Sequence, residues 1–175
     1  MIHLIGPGGA GKSTIGALLA ERLDVTFLDL DRHVVGRVGD ISEYISRHGY
    51  DAYARENVEA YCSVFRDEGI RPGVVALSSG FMTYANDAHP EYGRIRRELE
   101  ECAQTFVLLP SLNLEFCVAE TVRRQVARPF GRSPESEEAV IRTRFEIYQA
   151  LPIRKVETMR PTVAIVDEIL AALRQ

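Results

Sequence analysis

The chain has few cysteines, no long apolar run and no surplus of positive charge, and each shortage closes off a class of function. Cys62, Cys102 and Cys117 are the three cysteines among 175 residues, and they lie far apart. They form no C-x-x-C pair and no zinc spacing, so they are expected as reduced thiols packed in helices or core. No stretch approaches the roughly 18 apolar residues that a membrane span needs. The apolar start is broken by Gly6, which predicts no secretory signal. A reducing cytoplasm is the expected compartment, with no membrane partner. The formal net charge is −4 at pH 7, and no stripe interleaves basic with aromatic residues. Nucleic acid is therefore not an expected partner. His3, His33, His48 and His89 show no metal-ligand spacing, and His3 is expected to pack within a strand. Ser78 and Ser79 lack the G-x-S-x-G elbow of a serine nucleophile, which argues against hydrolase chemistry.

What is present is an alternation. Short apolar runs at 2–5, 25–28, 74–77, 105–109 and 155–158 read as strands. Helix-length amphipathic stretches at 14–22, 40–47, 52–68, 91–101, 112–125, 137–149 and 162–173 separate them, several stopped by glycine or proline. Residues 128–136 are polar, with two prolines and a glycine, and read as a loop. This order predicts one α/β domain over 1–175, with a central parallel sheet of about five strands covered on both faces. Ligands of such sheets bind beyond the carboxyl ends of the strands. Residues 6–13, 29–31, 78–80 and 110–111 all follow predicted strands and should ring one rim.

The first of these segments carries the strongest chemistry. Gly6-Pro-Gly-Gly-Ala-Gly-Lys-Ser13 matches G-x-x-x-x-G-K-S between a strand and a helix, the phosphate-binding P-loop. Its glycines let backbone N–H groups face phosphate oxygens, and the next helix adds the positive end of its dipole. Gly8, Gly9, Ala10, Gly11, Lys12, Ser13 and Thr14 are the expected nucleotide contacts. Lys12 would reach the β- and γ-phosphates of ATP, and Ser13 would ligate Mg²⁺.

Asp29 and Asp31 follow the second strand. If the chain stays extended there, both carboxylates point one way. Asp29 is then a metal-site residue and Asp31 a proton acceptor for an attacking hydroxyl; the alternative is that Asp31 caps a helix beginning at Arg32. Arg128 and Arg132 lie in the predicted loop, just after Arg123 and Arg124. Arginines on a closing loop can neutralise a transferring phosphoryl group, and a solvated basic helix end is the alternative. Arg144 and Tyr148 share a helix face. Arg144 either binds an anionic substrate or forms a surface pair.

Taken in order, these motifs resemble the shikimate kinase family. The resemblance spans nearly the whole chain: the P-loop, Phe27-Leu-Asp-Leu-Asp31, the segment from Gly39 through Gly49 and Tyr53, Arg128-Pro-Phe in a lid, and Arg144-x-x-x-Tyr148. It implies a P-loop three-layer sandwich of the nucleoside-monophosphate/shikimate-kinase-like type, with acceptor-binding helices at about 31–68 and a mobile lid at about 125–138. It implies an ATP- and Mg²⁺-dependent phosphotransferase acting on an alcohol group. Lys12, Asp31 and Arg128 would be catalytic, and Arg124 and Arg128 would add to the nucleotide contacts. Asp31, Arg55, Ser79, Gly80 and Arg144 would bind the acceptor. A monomer or weak homo-oligomer is expected.

Four departures stand out. The family's Phe-Arg pair, whose arginine also binds the substrate carboxylate, is Tyr53-Ala54 here, with Arg55 one place later. Its Gly-Gly-Gly turn is Ser78-Ser79-Gly80. The proline of its Arg-x-Pro-Leu-Tyr is Glu146. The position of its adenine-stacking arginine is Thr121, with Arg123 or Arg124 as substitutes. Losing one of two buried arginine contacts would cost an anionic substrate about 2–5 kcal/mol. The expected activity is therefore transfer of the ATP γ-phosphoryl group to a hydroxyl of a small polar, anionic metabolite other than shikimate. Shikimate itself is the alternative. An inactive nucleotide-binding regulator is the reading from another class, and Lys12, Ser13, Asp31 and Arg128 speak against it.

Overall fold

Five short strands run parallel in the order β2-β3-β1-β4-β5. A computed structural model describes residues 1–66, 71–126 and 133–174. The strands are β1 (Ile2–Ile5), β2 (Phe27–Asp29), β3 (Val74–Ala76), β4 (Thr105–Leu109) and β5 (Arg154–Glu157). The helices are α1 (Lys12–Leu23), α2 (Leu30–Val38), α3 (Ile41–His48), α4 (Tyr50–Arg66), α5 (Tyr92–Glu101), α6 (Leu114–Val126), α7 (Pro134–Ala150) and α8 (Thr162–Ala172). The expected α/β fold with a five-stranded parallel sheet is what the chain adopts.

Alternation along the strands sorts their side chains into two layers. Leu4, Phe106, Leu108 and Val156 pack with Ile15, Leu19, Ile165 and Ile169 of α1 and α8. Ile5, Val75, Val107 and Leu109 pack with Val58 of α4, Leu99 of α5 and Tyr148 of α7. Both faces are covered, so the central strands are mostly apolar rather than alternating with polar residues, His3 and Thr105 being buried exceptions.

Three helix starts follow from capping chemistry. Asp40 accepts from the Glu43 N–H at 2.8 Å to open α3. Ser133 accepts from the Ser136 N–H at 3.3 Å, with Pro134 at the first helical position of α7. The predicted loop over 128–136 thus ends sooner than the composition suggested, because serine followed by proline starts a helix. At its other flank Gln125 still belongs to α6. Residues 127–132, including Arg128 and Arg132, lie outside the described residues. The third start, Asp29 at α2, shapes the site.

Candidate active site

The loop after β1 folds over the carboxyl edge of the sheet. Gly6 sits at φ 141°, and any Cβ there would overlap the Leu108 carbonyl oxygen of the neighbouring strand. Only glycine passes this point. Lys12 opens α1, and its Nζ donates to the Gly6 carbonyl at 2.8 Å and the Pro7 carbonyl at 2.9 Å. The first-turn N–H groups of α1 have no acceptor within the helix and face outward with its positive end. Gly8, Gly9, Gly11, Lys12, Ser13 and Thr14 line one end of a cavity of about 350 Å³. Ala10 does not line it. Its side chain is buried with Ile15 and Leu19 in the layer under α1.

Asp29 and Asp31 both reach this cavity, though not by the extended chain first expected. Helix α2 begins at Leu30, directly after β2. Asp29, not Asp31, is its cap, accepting from the Arg32 N–H at 3.3 Å. A capping aspartate favours the helical turn within one residue, which ends the strand early. Asp31 then sits in the first turn, one position inside the helix. The second oxygen of Asp29 accepts from the Ser13 hydroxyl at 2.5 Å. Hydroxyl and carboxylate oxygens are the ligands a hard cation selects, so Ser13 and Asp29 fit the Mg²⁺ that accompanies ATP.

The opposite end of the cavity is built from α4, α7 and the turn after β3. The Arg144 guanidinium donates to Ser79 Oγ at 3.2 Å and to the Tyr50 hydroxyl at 3.0 Å. The Tyr148 hydroxyl donates to the Ser79 carbonyl at 2.9 Å. The shared face of Arg144 and Tyr148 therefore grips the β3 turn from above. Gly80 lies beneath them, and a side chain there would overlap the Tyr50 hydroxyl oxygen. Asp31, Tyr53, Ser79, Gly80 and Arg144 all line the cavity.

Arg55 does not. It is exposed and lines a separate depression with Thr83, Tyr84 and Asp87. One residue along a helix turns a side chain by about 100°, and here that step carries Arg55 off the cavity face. Ala54 between them is 2% exposed and packs in the core. Residues 110–111 stay at the carboxyl rim but do not line the cavity; Ser111 Oγ donates to Glu157 at the end of β5 at 3.2 Å.

Arg124 approaches the P-loop, with Nη1 on the Gly9 carbonyl at 3.0 Å and Nε on Glu120 at 2.6 Å. Arg123 and Arg124 together pull the Glu120 carboxyl down to about 2. Arg123 points outward, so Arg124 is the better placed of the two beside a bound nucleotide.

Sequence reasoning passed over Tyr50, Asn57, Gln125 and Glu137. Gln125 and Glu137 line the cavity from α6 and α7. Asn57 is wholly buried, and its Nδ2 donates to Ser78 Oγ at 2.8 Å and to the Tyr53 hydroxyl at 3.2 Å. Tyr50, Tyr53 and Asn57 recur at helical spacing, which is a signal that could have found them. His3 behaves as expected. Burial and the nearby amino terminus lower its pKa to about 4, and its Nε2 lies 3.2 Å from the Tyr61 hydroxyl.

A family model described as shikimate kinase matches residues 8–174. A shikimate kinase of Thermobifida fusca is 32% identical over 172 residues, covering 96% of this chain and 91% of that protein. One of Nitratidesulfovibrio vulgaris is 32% identical over 178 residues, covering 98% and 94%. Among solved structures, shikimate kinase from Acinetobacter baumannii in complex with shikimate superposes with a TM-score of 0.74 at 22% identity, covering 99% of this chain and 92% of that one. The last likeness shows the fold.

Proposed function

Since this chain belongs to the shikimate kinase family, we propose that it transfers the γ-phosphoryl group of ATP to a hydroxyl of shikimate, forming shikimate phosphate and ADP. The coarser part is plain from the family: the chain is an ATP-dependent phosphotransferase acting on an alcohol group, working with Mg²⁺. The expectation of a different acceptor, drawn from the sequence departures, is less well supported than shikimate, because the likeness to shikimate kinases runs through the acceptor segments as well as the P-loop.

One observation carries the mechanism. The P-loop, Asp31 and Arg144 line a single cavity, with the carboxylate and the guanidinium on different walls. Arg144 holds the anionic group of the acceptor and so directs its hydroxyl toward Asp31. Asp31 accepts the hydroxyl proton as the oxygen bonds to the γ-phosphorus and the bond to the β-phosphate oxygen breaks. Lys12 swings from the loop carbonyls to the phosphates and offsets the charge that develops there. Ser13, with Asp29 behind it, would hold the Mg²⁺, which when bound would supply neutralisation of the phosphate charge. Arg128, which lies outside the described residues, remains the proposed second cation on the transferring group. No helix among the described residues is long and apolar enough to cross a membrane.

A second reading, an altered acceptor, draws on a specific observation. Arg144 is the one arginine lining the cavity among the described residues, because Ala54 replaces the family arginine and Arg55 faces away. ADP release with MgATP and a panel of hydroxylated acids and sugars separates the two. A kcat/KM for shikimate of about 10⁴ M⁻¹s⁻¹ or more supports the first. Another compound surpassing shikimate by tenfold or more supports the second and overturns the first.

A further inference from the structure

The segment that departs most from the family also holds a buried polar chain, which the mechanism above leaves unused. Shikimate kinases carry phenylalanine at the position of Tyr53, so the hydroxyl is this chain's own addition. It lies against the side chain proposed to take the acceptor proton: Tyr53 donates to Asp31 Oδ1 at 3.4 Å. That is the one hydrogen bond given to the Asp31 carboxylate among the described residues. Behind it, Asn57 donates to the Tyr53 oxygen and to Ser78 Oγ, just past the end of β3.

The direction of this chain follows from counting donors. Asn57 is wholly buried, and both of its N–H groups have acceptors while its Oδ1 has none. Turning the amide over would bury two N–H groups without acceptors, a worse outcome than one bare carbonyl. The Tyr53 oxygen therefore accepts a hydrogen bond from Asn57, and its own O–H donates to Asp31. Burial, and then the charge of Asp31, push the Tyr53 phenol above its ordinary value, so it stays a donor.

We infer that Asn57 and Tyr53 form a positioning relay that holds one oxygen of Asp31 and leaves the other for the acceptor hydroxyl. The relay ties the carboxylate to the sheet through Ser78. Tyr53 and Asn57 act through Asp31 and do not exchange the proton themselves. The inference rests on the reading of Asp31 as the proton acceptor.

The test compares wild type, Tyr53→Phe, Asn57→Leu, the double variant and Asp31→Asn, with shikimate and MgATP as substrates. Tyr53→Phe removes one oxygen and restores the family residue, so it is expected to fold. It should lower kcat by about tenfold, the loss expected for one hydrogen bond to a charged group, with KM for both substrates within about twofold. Asn57→Leu should lower kcat similarly, and the double variant should be no worse than the poorer single variant. Infrared spectra with ¹³C-carboxylate aspartate give a second readout that needs no acceptor. The Asp31 band, assigned by its absence in Asp31→Asn, should move in Tyr53→Phe. An unmoved band together with unchanged kcat overturns the relay, as do fully additive losses. If Asn57→Leu does not fold, Tyr53→Phe alone decides. Full turnover by Asp31→Asn overturns the reading of Asp31 instead. If wild type does not phosphorylate shikimate, the acceptor reading fails, and the infrared comparison still decides whether Tyr53 holds the carboxylate.

Discussion

Gly80→Ala is the sharpest test of the acceptor end of the cavity. Gly80 has φ −101°, a value any residue adopts, so the substitution carries no backbone strain. What changes is space. A Cβ there would overlap the Tyr50 hydroxyl oxygen, lie 3.0 Å from Arg144 Nη2 and 3.2 Å from Tyr84 Cε1. Tyr84 is 4% exposed and cannot yield. Tyr50 and Arg144 must move, and the bond between them, 3.0 Å in the native structure, is lost. A hydrogen bond to a charged group contributes about 1.5–3 kcal/mol. If that free energy positions Arg144 for the acceptor, acceptor KM should rise by about 10- to 100-fold, since 1.4 kcal/mol is tenfold. The KM for ATP should stay within about twofold, because the P-loop lies at the other end. Steady-state ADP release at varied acceptor with saturating MgATP, and at varied MgATP with saturating acceptor, reads both constants, and a thermal melt confirms folding. An acceptor KM within about twofold of wild type would refute the assignment of Arg144 as the anionic grip.

Lys12→Ala should lower kcat by at least about 10²-fold, since it removes the charge that offsets the transferring phosphoryl group; a rate near wild type in the same assay would remove the P-loop from the chemistry. Arg55→Ala should leave acceptor KM within about twofold, because Arg55 faces a depression outside the cavity; a tenfold rise would return it to the site. His3 carries a pH signature. Its folded pKa of about 4 lies below the ordinary 6.5, so the unfolded chain binds a proton that the folded chain does not between these values. Stability from this group is complete above about pH 6.5 and is lost as pH falls toward 4, by roughly 3 kcal/mol at most. Urea denaturation at stepped pH should show that slope in wild type and a flatter one in His3→Leu; equal slopes would place the acid sensitivity elsewhere.

Much of this protein is written in local sequence. The P-loop needs only the order of glycines, lysine and serine between a strand and a helix, and those residues bend the backbone by themselves. The strands of both layers are legible because apolar runs buried on two faces need no partner to be recognised. The Arg144 and Tyr148 pair is legible because helical spacing puts both on one face. The family likeness likewise rides on short motifs in a fixed order.

Tertiary structure decided what local pattern leaves open. Asp29 and Asp31 were both expected on an extended chain, but Asp29 caps α2 and accepts from Ser13 while Asp31 sits in the first turn of that helix. Arg55 seemed a substitute for a missing arginine, and the rotation of α4 against the sheet turned it outward while burying Ala54. Asn57 shares a helix face with Tyr53 by spacing alone, but it gained its link to the sheet only when packing brought Ser78 within its reach. Sequence spacing sets which residues share a face of one element. Which face is turned to the nucleotide, to the acceptor or to water depends on how the elements pack, and packing is set by the sum of contacts far apart in the chain.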